Sequence, residues 1–278
     1  MDALTLLGGL VRALSDDPRI LGIGQTGSPD AALIPGRSDI DLFVLCSEVP
    51  PEDERRALYA QLGDGFDLHM SVCNGGRWGY GDILVAGGVD VMPMYFPLSE
   101  MRDYLTRLLS GEGLDKEGRF YPVGRLASVS TIHVLHEKAR AWSELRDLVN
   151  EKPDAFFRAW YAREICQVLD EEDLGRCEVR REVLFFHQVL ENALDHLLQA
   201  LYAVNRCYFP SRKRTLTALD AFRLLPDDCA GRLLRLVQDG ACEETMDRAM
   251  TDLRQLTAEV VRLGREVFPG GPPQAADA

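Results

Sequence analysis

The eight residues Ser38 to Leu45 constrain this chain more than any other stretch. Two carboxylates, one residue apart, open an otherwise apolar run that reads as a buried strand. Side chains alternate along a strand, so Asp39 and Asp41 share a face, about 6–7 Å apart from the strand rise. Nothing in Leu42, Phe43, Val44 and Leu45 neutralises them. Carboxylates held this way repel each other, and a divalent cation between them turns the repulsion into coordination. An all-oxygen donor set suits magnesium. An Asp-x-Asp pair alone is more often a solvated turn, so the reading depends on its surroundings.

Upstream, the turn Gly27-Ser28 follows the apolar stretch Ile20-Leu21-Gly22-Ile23 and offers backbone N–H groups and a hydroxyl to a phosphate. Downstream, Gly88 to Met94 forms another apolar strand. Asp90 stands there between valines, where an unpaired carboxylate is costly to bury. Asp67 also alternates with apolar residues and competes for the place of third acid. Together these features describe a site for a metal-bound nucleoside triphosphate. The glycine-rich stretch Asn74 to Gly81 opens no helix, so it reads as a loop rather than a nucleotide fingerprint. Trp78 or Tyr80 would line an acceptor pocket from it, or the stretch is a plain hairpin excursion.

Gly-Ser, then Asp-x-Asp, then a later lone Asp resembles the polymerase-beta-type nucleotidyltransferase superfamily. The nearest likeness is to bacterial antibiotic nucleotidyltransferases, such as the aminoglycoside adenylyltransferases and their relatives with a C-terminal helical domain. The specific motifs span roughly residues 20–110. The resemblance implies that Gly27 and Ser28 contact nucleotide phosphates, that Asp39 and Asp41 hold magnesium, and that Asp90 completes the triad. In compact relatives the third acid takes the place of Asp67; in the larger antibiotic-modifying ones it lies a strand later, as Asp90 does. It also implies a phosphate contact from a lysine of the helical domain, here Lys213, with Arg212 or Arg214 as stand-ins. One departure stands out. Many relatives follow Gly-Ser with a small residue, an arginine and a glycine, and those places hold Ala31 and Ala32. Either Arg37 reaches the phosphates instead or nucleotide binding is weakened.

The activity so implied is transfer of AMP from ATP, with magnesium, onto a hydroxyl of a small-molecule acceptor such as an antibiotic. The alternatives are a catalytically weakened nucleotide-binding regulator and a protein AMP-transferase of antitoxin type. Charge narrows the partners. The 278 residues carry a net charge of −13. There are 11 basic and 19 acidic residues to position 125, a net of −8, against 20 and 25 beyond it, a net of −5. Such a field disfavours duplex nucleic acid and suits a cationic acceptor. Seven scattered cysteines with no C-x-x-C pair read as free thiols in a reducing cytoplasm. No signal peptide or membrane span is expected. Oligomeric state is open.

Leu4, Leu7, Val11 and Leu14 make a helical stripe over 3–14, and Pro18 precedes a first strand at 20–24. Pro50-Pro51-Glu52-Asp53-Glu54 starts a helix running to Leu62. Two strands and a helix over 99–109 follow. The fold class expected is α+β, a small mixed-sheet nucleotidyltransferase domain over 1–115, then a linker over 116–126. An all-α bundle over 127–268 and a disordered tail over 269–278 complete it. The longest helix is predicted from Glu178 to Asn205, at the centre of the bundle. His133 and His136 are placed on a bundle helix. Glu191 and Asp195 stack on the central helix, as ordinary polar surface or as a general base. Arg181 and His187 match the spacing of a HEPN ribonuclease motif, a frequent accident in an acidic bundle.

Overall fold

A computed structural model describes residues 1–27 and 31–269 of the chain. Ser28 and the tail beyond Pro269 therefore lie outside the described residues. The leucine stripe forms α1 (Ala3–Asp16), whose N-cap Asp2 accepts hydrogen bonds from the Leu4 and Thr5 N–H groups at 3.1 and 2.9 Å. Helix α1 buries Leu6, Leu10 and Leu14, so of the expected stripe Leu14 alone is fully buried, with Leu7 and Val11 half-buried and Leu4 exposed. Five strands follow around one helix: β1 (Ile20–Gln25), β2 (Asp39–Cys46), α2 (Glu52–Ala60), β3 (Asp67–Asn74), β4 (Tyr80–Ala86) and β5 (Val89–Pro97). Three acids in the first turn of α2 face its positive end, as the sequence predicts. The run continues with α3 (Leu98–Leu109) and α4 (Val123–Ser130).

Residues 133–137 differ from expectation. His133–Glu137 form a strand, β6, and Ala141–Asn150 form α5. The sheet has six strands in the order β3-β4-β5-β2-β1-β6; β2 and β5 are parallel and every other pair is antiparallel. His133 and His136 thus sit on an edge strand, not a helix. The chain divides into two compact units, residues 1–108 with 128–151, and residues 109–127 with 152 onward. Residues 116–126, expected as a linker, belong to the helical unit, and 128–151 belong to the sheet.

The physical reason is on β1. Its two glycines leave the sheet surface bare, and Ile132 and Trp142 fill the space. A Cβ at Gly22 would stand 2.6 Å from Trp142 Cδ1, and one at Gly24 would stand 2.4 Å from Ile132 Cγ1. Replacing Gly24 with alanine is therefore expected to destabilise the sheet unit by about 1–3 kcal/mol through overpacking. Gly8→Ala, in the exposed interior of α1 with open space around it, should stabilise by about 0.5–1 kcal/mol. Urea unfolding of both variants checks the pair.

On the opposite face of the sheet, Ile40, Leu42 and Val44 of β2 join Val89, Val91 and Tyr95 of β5 in a core with α1 and Tyr59 of α2. The other unit is helical: α6 (Asp154–Ile165), α7 (Glu171–Arg180), α8 (Val183–Val204), α9 (Thr215–Leu219), α10 (Cys229–Gly240) and α11 (Met246–Val267). Helix α8 is its centre and touches α6, α7, α10 and α11. The long helix predicted from Glu178 is split, because Arg181 adopts a left-handed conformation (φ 57°) and ends α7, leaving Val179 exposed. No helix among the described residues is long and apolar enough to cross a membrane.

Candidate functional site

Strand pairing brings the predicted acids to one corner of the sheet. Asp39 is the register partner of Asp90 across the parallel β2–β5 pair, and Asp41 is the partner of Met92. Adjacent strands lie about 4.8 Å apart and paired residues share a face, so Asp39, Asp41 and Asp90 emerge together. That face is opposite the one carrying Ile40, Leu42 and Val91 into the core. Asp39 is exposed, whereas Asp41 and Asp90 are half-buried. Asp67 pairs with Val85, which in turn pairs with Asp90. It therefore stands three strands from Asp39, about 14 Å by strand spacing.

The loop after β1 is tied to this corner. The Thr26 N–H donates to the Asp41 carbonyl at 3.0 Å, and Gly27 follows with φ 81°, a conformation that favours glycine. The turn before β2 is fixed as well. Ser38 N–H and Arg37 N–H donate to the Ile34 carbonyl at 2.9 and 3.0 Å, and Gly36 N–H donates to Gly88 of the β4–β5 turn at 2.6 Å. Arg37 is exposed, two residues from Asp39. Among the described residues, no three His, Cys, Asp or Glu side chains form a group that could hold a metal ion. The acids thus fit a cation in donor chemistry and backbone placement, but their oxygens do not close into a three-ligand set.

Lys213 lies in the helical unit, exposed, with its N–H donating to Ser211 Oγ at 3.2 Å. Its neighbour Arg212 is not a free stand-in, because its guanidinium binds the Asp195 carboxylate and the Glu191 carbonyl. Asp195 is not surface. It is 2% exposed and also accepts from Lys116 and, at 2.6 Å, from the Tyr121 hydroxyl. Burial alone would raise its carboxyl, but the hydrogen bonds from Lys116, Tyr121 and Arg212 outweigh it and hold the group below the ordinary carboxylate range. A carboxylate so held is a structural clamp rather than a general base. Its stabilisation is present above the ordinary carboxylate pKa and is lost as pH falls through the depressed folded value. Asp195→Asn should cost about 1.5–3 kcal/mol at neutral pH, with the difference from the native chain shrinking below pH 4. Unfolding curves from pH 7 to pH 3 measure this.

Arg181 and His187 do not act as a motif in this structure. Arg181 is engaged with Asp247 and the Glu243 carbonyl, and the end of α7 separates it from the helix carrying His187. Sequence reasoning also missed a buried network in the sheet unit. Arg55 Nε donates to Asp82 Oδ2 at 2.8 Å, as does the Tyr59 hydroxyl at 2.8 Å. Tyr59 in turn meets Tyr95 at 2.7 Å, and the Ser71 N–H donates to Asp82 Oδ1 at 2.8 Å. Burial, with the Tyr95 and Asp82 neighbours adding to it, pushes the Tyr59 hydroxyl well above its ordinary value. The only sequence signal was a lone acid, Asp82, beside apolar Ile83.

A family described as "Domain of unknown function (DUF4037)" matches residues 120–214. No curated protein matches the chain. Among solved structures, the chain is similar to a nucleotidyltransferase-like protein from Exiguobacterium sibiricum 255-15, with 13% identity and a TM-score of 0.42. That alignment covers 91% of this chain and 74% of the other. It is also similar to an aminoglycoside 6-adenyltransferase from Bacillus subtilis, at 14% identity and a TM-score of 0.33, covering 97% and 91% of the two chains. A third is the spectinomycin adenyltransferase AAD(9) from Enterococcus faecialis, solved with ATP and spectinomycin. Its identity is 11%, its TM-score 0.32, and the coverage 95% and 97%.

Proposed function

We propose that the chain is a nucleotidyltransferase that moves AMP from ATP onto a hydroxyl of a small-molecule acceptor in the cytoplasm, with magnesium as cofactor. The observation that carries this reading is the register of Asp39 with Asp90 on adjacent parallel strands, with Asp41 two residues on along the same face. Asp39, Asp41 and Asp90 would hold the ion, which supplies Lewis-acid polarisation of the phosphate when bound. The chain's own residues do the rest. Backbone N–H groups at Gly27 and Ser28, with Arg37, would orient the triphosphate. Asp90 would either ligate magnesium or accept the acceptor's proton. The choice of ATP and of a hydroxylated acceptor follows the resemblance carried by the Gly-Ser and Asp-x-Asp motifs.

A second reading has its own observation. The described acids do not form a ready three-ligand group, and Ala31 and Ala32 replace residues of the family pattern. A nucleotide-binding regulator without turnover would look the same. Incubation with magnesium and each labelled triphosphate, over a broad acceptor panel, separates the two. Pyrophosphate release supports the enzyme; saturable nucleotide binding with no release under any acceptor supports the regulator.

A further inference from the structure

Beyond nucleotidyl transfer, and independently of it, the helical unit contains a polar cavity of about 330 Å³ that no role yet claims. Its wall includes Glu164, Gln167, Asn192, His196 and Gln199. Glu164 is 2% exposed, and its Oε2 stands 2.7 Å from His196 Nδ1. A buried carboxylate beside Nδ1 fixes the neutral ring as the Nδ1–H tautomer, which leaves Nε2 as a proton acceptor on a ring that lines the cavity. This arrangement orients a histidine towards a ligand rather than burying it as core.

The charges around the cavity are already matched. Asp195 is bound by Lys116 and Arg212, Asp115 by Arg163, and Glu164 lies 3.4 Å from the same Arg163 guanidinium. Three carboxylates thus meet three permanent cations, and a charged ligand would find no spare counter-charge to offset its desolvation. What remains for recognition is neutral: the His196 Nε2 acceptor and the amides of Gln167, Asn192 and Gln199. Gln167 Nε2 already donates to the Arg163 carbonyl at 3.0 Å and Gln199 Nε2 to the Asp195 carbonyl at 3.3 Å, so these two present mainly their oxygens. A wall rich in acceptors calls for hydroxyl donors. The volume is at the small end of ligand pockets, enough for about one ring.

We propose that this cavity binds a neutral, polyhydroxylated small molecule of the monosaccharide or cyclitol class, with His196 Nε2 accepting a hydrogen bond from a ligand hydroxyl and Glu164 positioning the ring. The test uses the full chain labelled with ¹⁵N-histidine, in which His196→Gln identifies the His196 signals among the five histidines. Myo-inositol and glucose are the neutral probes, glucosamine the cationic one and glucuronate the anionic one. The expected result is a His196 Nε2 resonance that shifts with the neutral probes, at affinities about tenfold above those of the charged pair. Glu164→Gln should weaken binding about tenfold. Asn192→Ala, at an exposed position, should weaken it several-fold and keeps the test open if the Glu164 variant does not fold. The proposal is overturned if no probe moves the Nε2 resonance at about 50 mM, if either charged sugar binds as tightly as the neutral ones, or if Asn192→Ala has no effect. None of these outcomes bears on pyrophosphate release, so failure here leaves the proposed transfer activity standing.

Discussion

Asp39→Asn and Asp41→Asn are each expected to lower pyrophosphate release from ATP by about 10²–10³-fold, the size seen when a single group stabilising transition-state charge is removed. Asp39 is exposed, so its replacement should shift stability by less than about 0.5 kcal/mol, and lost turnover cannot be blamed on unfolding. Asp90→Asn should give a loss of the same order, because Asp90 is the register partner of Asp39. Asp67→Asn is the internal control. With β4 and β5 between it and β2, Asp67 cannot share a ligand with Asp39, and its replacement should change the rate by less than about threefold. If Asp67→Asn alone abolished release while Asp90→Asn did nothing, the assignment of the third acid would be reversed. Native rates in all four variants would sink the reading of this corner as catalytic.

The second large effect concerns stability. Asp82→Ala should destabilise the sheet unit by about 3–5 kcal/mol, because it strands the Arg55 guanidinium, 5% exposed, without its carboxylate. The Ser71 N–H and the Tyr59 hydroxyl lose their acceptor in the same step. That loss is comparable to the whole stability of many domains. The double replacement Asp82→Ala with Arg55→Met should recover part of it, since removing both charges costs less than leaving one buried. Urea midpoints of the single and double variants give the comparison; a double variant no more stable than Asp82→Ala would contradict the account.

Much of the fold was legible in the residues, and particular elements show why. The strand from Asp39 announced itself by an apolar run longer than any turn could bury, and the β4–β5 hairpin by Gly87-Gly88, both with positive φ (58° and 77°). The proximity of Asp39 and Asp90 was implied by motif order and is placed by strand register. Other features escaped because their signal is tertiary. Arg55 sits among Glu52, Asp53, Glu54 and Arg56, which looks like an exposed helix face, and its partner is 27 residues away. The end of α7 at Arg181 carries neither glycine nor proline, so the apolar periodicity ran through it unbroken. In β6, five residues between two helices are too few for a period to decide. The clamp on Asp195 joins residues 116, 121 and 212, far apart in the chain, and like-charge spacing on one helix gave no hint of it.

The route of the chain through the sheet unit has a practical corollary. Residues 109–127 leave for the helical unit and the chain then comes back to supply β6 and α5. A fragment stopped at residue 115 would keep every acid of the candidate corner yet lose its outermost strand. It would also strip Trp142 and Ile132 from the bare backbone of Gly22 and Gly24. Such a truncate presents an open, unprotected ladder along β1 and should self-associate. The sheet unit is therefore complete only once the chain has reached residue 151, and any swap of the helical half onto another sheet must carry three crossovers rather than one.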